Sequence, residues 1–202
     1  MEFKKIYLVR HGKIRINEDQ KIFIGQIDLP LDEVGEEQAC SLGEILSKVK
    51  ISSVFCSDLK RSVATAEKIS IYHGISPIIK PELREIDLGD WDGLTFSEVI
   101  RRYPAEFKQR GKNIVNFRPP NGESFFDCGK RVIASFKDFV SSSEGDIVIT
   151  GHAGVNRLIL CHVIGLSIEN LFNISQDYGC LNIISVENSN YRLNLLNDTR
   201  CI

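Results

Sequence analysis

The chain has 202 residues, of which 43% are apolar and 26% charged, and its net charge is −2. This balance suits one globular domain and excludes a global basic field that would recruit nucleic acid or an anionic membrane. The apolar run at residues 6–9 is too short for a signal-peptide core, and no run approaches the roughly 20 apolar residues that span a bilayer. We therefore expect a cytoplasmic protein that binds neither nucleic acid nor membrane.

Strand and helix patterns alternate along the chain. In the first half of the chain they predict a strand at 6–9, a glycine-containing loop at 12–31, a helix at 32–50, a strand at 53–56, a helix at 62–71 and an extended segment at 76–81. A functional loop at 83–94 follows, then a short helix opened by a Thr95–Glu98 capping box and a polar segment at 104–121. The remaining elements are a helix at 124–140, a strand at 146–150, a helix at 155–164, and strands at 180–186 and 191–196.

This alternation predicts an α/β fold, a three-layer α/β/α sandwich with a mostly parallel central sheet. The last two strands are joined by the turn signal Asn188-Ser189-Asn190, so one late strand is expected to run antiparallel. We predict a single domain over 1–202, with a lid or insertion around 96–121.

Two predicted strands end in similar ways. The first runs into Arg10-His11-Gly12, and the strand at 146–150 runs into Gly151-His152. Ligands of open α/β sheets bind beyond the carboxyl ends of the strands, so both histidines are expected at one site. A lone histidine at a strand end is more often a structural loop residue, but a glycine-flanked pair at matching ends favours catalysis.

Two arginines accompany the histidines. Arg10 precedes His11, and Arg61 lies where a helix begins after the second strand. A planar guanidinium binds two phosphate oxygens at once, and a helix N-terminus adds backbone N–H groups. Arg61 alone would more often be a surface ion-pair partner, but together with Arg10 it indicates a phosphate site.

The functional loop carries four acids that could protonate a leaving group. They are Glu85, Asp87, Asp90 and Asp92, and the residue types alone do not choose between them. The six cysteines lack zinc-ligand spacing, so neither a metal nor another cofactor is expected.

These segments form an ordered series of motifs over nearly the whole chain. It consists of Leu8-Val9-Arg10-His11-Gly12, Gly25-x-x-Asp28-x-Pro30-Leu31, Ser57-Asp58-Leu59-x-Arg61, Leu83-Arg84-Glu85-Ile86-Asp87-x-Gly89-x-Trp91-x-Gly93, Pro120-x-Gly122-Glu123-Ser124 and Gly151-His152. The series resembles the histidine phosphatase superfamily, in its phosphoglycerate mutase-like branch 1. The resemblance implies a phosphoglycerate mutase-like fold.

The resemblance also implies roles for the residues. His11 would be the nucleophile that forms a phosphohistidine, with Arg10, Arg61 and His152 holding the phosphoryl oxygens. Glu85 would act as acid and then as base. Asn17 and Gln26 are further phosphate-binding candidates. The chain departs from the family after Gly12, where Lys13-Ile14 replaces the usual glutamate and small hydroxyl residue.

Three functions fit this resemblance. The first is a phosphatase of a small phosphomonoester, such as alpha-ribazole 5'-phosphate, because alpha-ribazole phosphatases are similar in length and in the Gly25 block. The second is a phosphoglycerate mutase, although family mutases are typically longer. The third is a non-catalytic member that binds a phosphorylated ligand.

Substrate selectivity is expected in two segments, 13–24 and 96–121. Their basic residues could bind a second anionic group of the substrate: Lys13, Arg15, Arg101, Arg102, Arg110 and Lys112. A homodimer would fit a surface on the late hairpin or near Leu171 and Phe172.

Overall fold

A computed structural model describes residues 4–16 and 20–199. Its sheet has six strands in the order β3-β2-β4-β1-β5-β6. The strands are β1 (Lys4–Arg10), β2 (Ser53–Cys56), β3 (Ile78–Ile79), β4 (Ile147–Gly151), β5 (Leu181–Glu187) and β6 (Asn190–Asp198). β5 runs antiparallel to both of its neighbours, and the other pairings are parallel. The mostly parallel sheet with a reversed late strand is therefore confirmed.

Helices cover both faces of this sheet. They are α1 (Glu33–Leu46), α2 (Lys60–Ser70), α3 (Phe96–Arg102), α4 (Pro104–Lys112), α5 (Phe125–Ser142) and α6 (Ala153–Ile164), with 3-10 turns at Ile71–His73, Pro81–Leu83, Gly89–Trp91 and Ile168–Asn173. The predicted α/β/α layering is thus confirmed, while α1 ends four residues before the predicted end and the 168–173 turns were not predicted.

Side-chain alternation along the central strand separates two cores. Ile6 and Leu8 join the larger core, which includes residues of α5 and α6, whereas Tyr7 and Val9 join the core beneath α1 and α2. Successive side chains of a strand point to opposite faces, so an apolar run buried on both sides identifies a central strand. β1 lies between β4 and β5 and leads directly to His11.

Local hydrogen bonds begin the helices where the sequence predicts. Thr95 and Glu98 form the predicted capping box at α3, and Ser124 and Asp127 form a second one at α5. Each side chain satisfies a backbone N–H that would otherwise lack a partner in the first helical turn. The late hairpin turns through Asn188 and Ser189, both at positive φ, as its turn signal indicates.

The segment at 96–121 packs on the single tryptophan. Trp91 is fully buried, and its ring contacts Tyr103, Phe107 and Phe117. α3 and α4 are therefore anchored by aromatic contacts to the loop that carries the four acids. In the part of the chain described here, no helix is long and apolar enough to cross a membrane.

Candidate active site

Two buried histidines meet beyond the carboxyl ends of β1 and β4. These strands are parallel neighbours, and the His11 backbone N–H donates to the Gly151 carbonyl at 3.1 Å. The ring centroids of His11 and His152 are 5.1 Å apart. The structure therefore brings together the two histidines that the sequence placed at matching strand ends.

His11 is held in one orientation and kept neutral. Its Nδ1 lies 2.7 Å from the Gly12 carbonyl oxygen, which can only accept, so Nδ1 carries the proton. Burial lowers the pKa of His11 well below its usual range, and the charges of Arg10 and Arg61 add to this effect. Nε2 is then left with a free electron pair, the form that a nucleophilic imidazole requires.

The backbone next to this histidine is locked to α1. A Cβ atom on Gly12 would lie 2.2 Å from the Gly35 carbonyl oxygen, and one on Gly35 would lie 2.0 Å from the Lys13 carbonyl oxygen. Only two glycines permit this approach, because any side chain would collide with backbone. Asp32 caps α1 by accepting from the Gly35 N–H at 2.8 Å.

Ser57 is the hydrogen-bond partner of the second histidine. Its Oγ lies 2.7 Å from His152 Nε2 and also accepts weakly from the Leu59 N–H at 3.4 Å. The hydroxyl proton is therefore available to Nε2. Burial and the nearby arginines lower the pKa of His152 well below its usual range, and the tautomer in which the Ser57 hydroxyl donates to Nε2 carries its ring proton on Nδ1. That nitrogen is buried and has no hydrogen-bond partner in the described protein.

Both predicted phosphate-binding arginines are fixed at this site. Arg10 donates from Nη1 to the Gln176 carbonyl at 2.6 Å, and its guanidinium lies 3.7 Å from the ring centroid of Tyr178. Arg61 is only 1% exposed, which rules out a surface ion-pair role. Its Nη1 and Nη2 donate to the carbonyls of Ile27 and Gly25, each at 2.7 Å.

Each arginine keeps one buried N–H group without a hydrogen-bond partner among the described residues. These are Nε of Arg10 and Nε of Arg61. A buried donor without an acceptor costs about 1–3 kcal/mol. Together with Nδ1 of His152, they give the site three buried nitrogens without partners, and the two guanidinium N–H groups favour an anion rich in acceptor oxygens.

Of the four candidate acids, Glu85 is the one that lines the cavity. Its carboxylate accepts from the backbone N–H groups of Ile86 at 2.9 Å, Gly154 at 2.9 Å and Val155 at 3.2 Å, the last two in the first turn of α6. Gly154 must lack a side chain, because its Cβ would lie 2.5 Å from a Glu85 oxygen. The residue that the resemblance selected is thus placed beside His11.

Asp92 organises the loop that holds Arg61. Its carboxylate accepts three consecutive backbone N–H groups, from Gly25 at 2.8 Å, Gln26 at 2.8 Å and Ile27 at 2.7 Å. The carbonyls of Gly25 and Ile27 in this same loop bind Arg61. Asp92 therefore acts on the phosphate site through Arg61, although it does not line the cavity.

We expect Asp92→Asn to lower kcat/KM by about ten- to a hundredfold, because small displacements of a positioning group are costly in catalysis. The asparagine keeps one acceptor but turns an N–H donor toward the loop amides. Steady-state kinetics and inhibition by inorganic phosphate test this. Asp90→Asn, on the exposed side of the same loop, is the matched control. Kinetics within twofold of wild type for a folded Asp92→Asn protein would contradict the positioning role.

Gln26 and Asn17 were the two further candidates predicted to bind phosphate. The Gln26 backbone N–H is used by Asp92, and its side-chain amide donates to the Glu85 carbonyl at 3.2 Å. The structure gives Gln26 a supporting place in the loop, and its predicted phosphate contact stays a prediction. Asn17 lies outside the described residues.

The cavity itself has a volume of about 200 Å³. Arg10, His11, Arg61 and Glu85 line one part of it. Within residues 4–16 and 20–199, no group of three or more His, Cys, Asp or Glu side chains could hold a metal ion. The arrangement can therefore place a nucleophilic nitrogen, two cations and a carboxyl group around one phosphoryl group.

The model of the histidine phosphatase superfamily (branch 1) matches residues 6–199. The chain belongs to this superfamily. The family resemblance of the sequence motifs is thereby confirmed.

Individual relatives of this histidine phosphatase carry different names. A Hydrogenobacter thermophilus protein named "Putative phosphoserine phosphatase 2" is 31% identical over 96% of this chain and 95% of its own length. The Escherichia coli adenosylcobalamin/alpha-ribazole phosphatase is 29% identical over 96% of this chain and 95% of its own length. A crystal structure of the alpha-ribazole phosphatase from Shigella flexneri superposes with a TM-score of 0.87 at 28% identity, covering 96% of each chain.

Sequence reasoning missed several residues of this histidine phosphatase site. Ser57 stood in a recognised motif, directly after β2, but received no role. Tyr178 lies in the connection to β5 and had no local signal. Four isoleucines of the cavity were overlooked because the segment that carries them is rich in charged residues: Ile14, Ile16, Ile22 and Ile24.

Acid should destabilise this histidine phosphatase through its two neutral histidines. Their pKa values are lowered in the folded state, so below about pH 6.5 the unfolded chain binds protons that the folded chain does not. The contribution of these two histidines to the free energy of unfolding is fully present above pH 6.5. Below that pH, the free energy of unfolding falls by up to about 1.4 kcal/mol per pH unit for each histidine. Urea unfolding measures the free energy of unfolding between pH 7.5 and 5, and this free energy should fall less steeply for His11→Asn than for the wild type. Equal slopes for the two proteins would contradict this account.

Proposed function

We propose that this protein is a phosphatase of small phosphomonoesters that works through a phosphohistidine on His11. The observation that carries the proposal is the set of three buried side-chain nitrogens without hydrogen-bond partners beside a neutral histidine: Nε of Arg10, Nε of Arg61 and Nδ1 of His152. A phosphoryl group has the charge and the acceptor oxygens to satisfy all three. Family membership supports the same chemistry.

In the first step, Nε2 of His11 attacks phosphorus and the bond from phosphorus to the ester oxygen breaks. The electron pair of that bond stays with the leaving oxygen, which takes a proton from Glu85. The two arginines and His152 stabilise the charge on the remaining phosphoryl oxygens. Since Nδ1 of His11 donates to Gly12, that carbonyl supports the positive charge that develops on the ring.

In the second step, water attacks the phosphohistidine. Glu85, now deprotonated, accepts a proton from this water, the phosphorus–nitrogen bond breaks, and His11 regains its electron pair. Inorganic phosphate is the product. One carboxyl group serves both steps because the leaving oxygen and the attacking water occupy the same side of phosphorus.

The proposed substrate is alpha-ribazole 5'-phosphate. The Escherichia coli relative and the Shigella flexneri structure, which match over nearly their whole length, support this choice. Phosphoserine is the comparison compound, given the name of the Hydrogenobacter thermophilus relative. Initial rates of phosphate release from both compounds decide between them.

Purified protein is expected to hydrolyse p-nitrophenyl phosphate without added metal and to keep its rate in EDTA. Arg10 and Arg61 supply the positive charge that a metal would otherwise provide. Release of p-nitrophenol between pH 5 and 7.5 measures this. Absence of turnover would favour a non-catalytic member of the family, and phosphoglycerate interconversion primed by a bisphosphate would favour a mutase. Loss of the rate in EDTA, with recovery on adding Mg²⁺, would overturn metal independence.

A further inference from the structure

The part of the cavity that faces the phosphate-binding groups is apolar. Four isoleucines line it: Ile14, Ile16, Ile22 and Ile24. They come from the two extended stretches on either side of residues 17–19. Tyr178, whose ring is 5.6 Å from that of His11, lies beside them.

Backbone geometry explains why these side chains face inward. Ile14 forms a bridge with Leu31 and Ile22 forms one with Thr95, so both stretches are extended. Side chains of an extended chain alternate between two sides. Arg15 and Lys21 accordingly point outward and are exposed, and Phe23 turns away to stack on Phe96.

The basic residues expected to bind a second anionic group lie elsewhere. None of the six lines the cavity. Lys13 lies 3.9 Å from Asp32, Arg102 pairs with Glu98 at 3.1 Å, and Arg110 lies over the ring of Phe23. The intervening residues at 17–19 are Asn, Glu and Asp, so the sequence supplies no positive charge there either.

We propose that the four isoleucines select phosphomonoesters whose alcohol part carries an apolar or aromatic group and that they reject alcohols bearing a carboxylate. An apolar group gains from burial against this wall. A carboxylate would lose its water there, and among the described residues the only Lys or Arg side chains that line the cavity are Arg10 and Arg61, which the phosphate occupies. The proposal rests on the proposed function and deepens it: a planar heterocyclic riboside phosphate fits this wall better than phosphoserine or a phosphoglycerate.

Two para-substituted aryl phosphates test this effect. p-Tolyl phosphate and 4-carboxyphenyl phosphate differ in a methyl group against a carboxylate, and their phenol leaving groups are similar in acidity. Wild-type protein is expected to show a kcat/KM about a hundredfold higher for the tolyl compound. Equal values, or a preference for the carboxylate, would overturn the proposal and leave the phosphatase function intact.

A charge placed in the wall should reverse part of this preference. Ile22→Lys is expected to narrow the ratio of the two kcat/KM values by at least about tenfold, because the ammonium group pairs with the carboxylate. Ile71→Lys, at an isoleucine that is 75% exposed and outside the cavity, should leave the ratio unchanged. Ile24→Lys repeats the test if the first variant does not fold. An unchanged ratio in a folded cavity variant counts against the wall as the selecting feature.

Failure of the proposed function has a different signature. Wild-type protein would then release phosphate from neither compound, or release it at a rate that His11→Ala leaves unchanged. Either result removes the basis for both proposals, whereas a rate that depends on His11 without selectivity removes only the second.

Discussion

His11→Ala is expected to reduce phosphate release by at least a thousandfold, on the order of what the loss of a nucleophile costs other enzymes that form covalent intermediates. The imidazole supplies the electron pair that forms the bond to phosphorus, and no neighbouring group can replace it. His152 is close, but its Nε2 lies 2.7 Å from Ser57 Oγ. The steady-state rate with p-nitrophenyl phosphate measures the effect.

Two further observations make the nucleophile test specific. His73→Ala changes a histidine in the turn after α2 and should keep the wild-type rate. Rapid quenching of wild-type protein in base should retain phosphate on the chain, and acid should release it, as expected for a phosphorus–nitrogen bond. A folded His11→Ala protein with more than about a tenth of the wild-type rate would show that another group attacks phosphorus.

The second large effect is expected from Glu85→Gln, and its size should depend on the leaving group. General acid catalysis contributes about 10²- to 10⁴-fold when the leaving group is a poor one. An alkyl phosphate should therefore lose that much in kcat/KM, which reports formation of the phosphohistidine and not the hydrolysis step that both substrates share. The rate of phosphorus–oxygen bond cleavage should fall much less for p-nitrophenyl phosphate, because p-nitrophenolate leaves without a proton.

The comparison between substrates separates catalysis from structure. Glu85 also accepts two N–H groups at the start of α6, so its replacement could act by displacing that helix. Displacement would slow both substrates equally, whereas a missing acid slows them unequally. Asp87→Asn, in the same loop, is the control, since Asp87 accepts from the Gly89 N–H and lies outside the cavity. Equal losses in kcat/KM for Glu85→Gln would contradict the role as acid.

The core of the site was predictable because it follows from strand topology. Parallel neighbours carry their C-terminal residues to one edge, so histidines at two strand ends had to meet there. Motif order then separated Glu85 from three neighbouring acids. The alternation of Ile6, Tyr7, Leu8 and Val9 between two cores likewise follows from an apolar run bounded by helices on both sides.

Other features depend on contacts between distant segments. Asp92 accepts N–H groups from residues more than sixty positions earlier in the chain, and nothing in the local sequence distinguishes it from Asp90. Gln26 follows Gly25 in a recognised motif, yet the same carboxylate occupies its N–H. The cavity isoleucines could not be predicted, because the sequence of a charged loop does not show which way an apolar side chain points. That direction follows from the bridges of Ile14 with Leu31 and of Ile22 with Thr95.

The interlocked Gly12 and Gly35 predict an uneven tolerance to mutation. Because neither position accepts even a methyl group, the chain around the nucleophile and the start of α1 move as one rigid unit. Ile16, Ile22 and Ile24 are only partly buried and line the cavity, so a changed side chain there can extend into the cavity instead of colliding with backbone. A saturation library should therefore be depleted at 12 and 35 whatever the substrate, while changes at the three isoleucines redistribute activity among substrates. New specificities could then arise around an unaltered reaction centre.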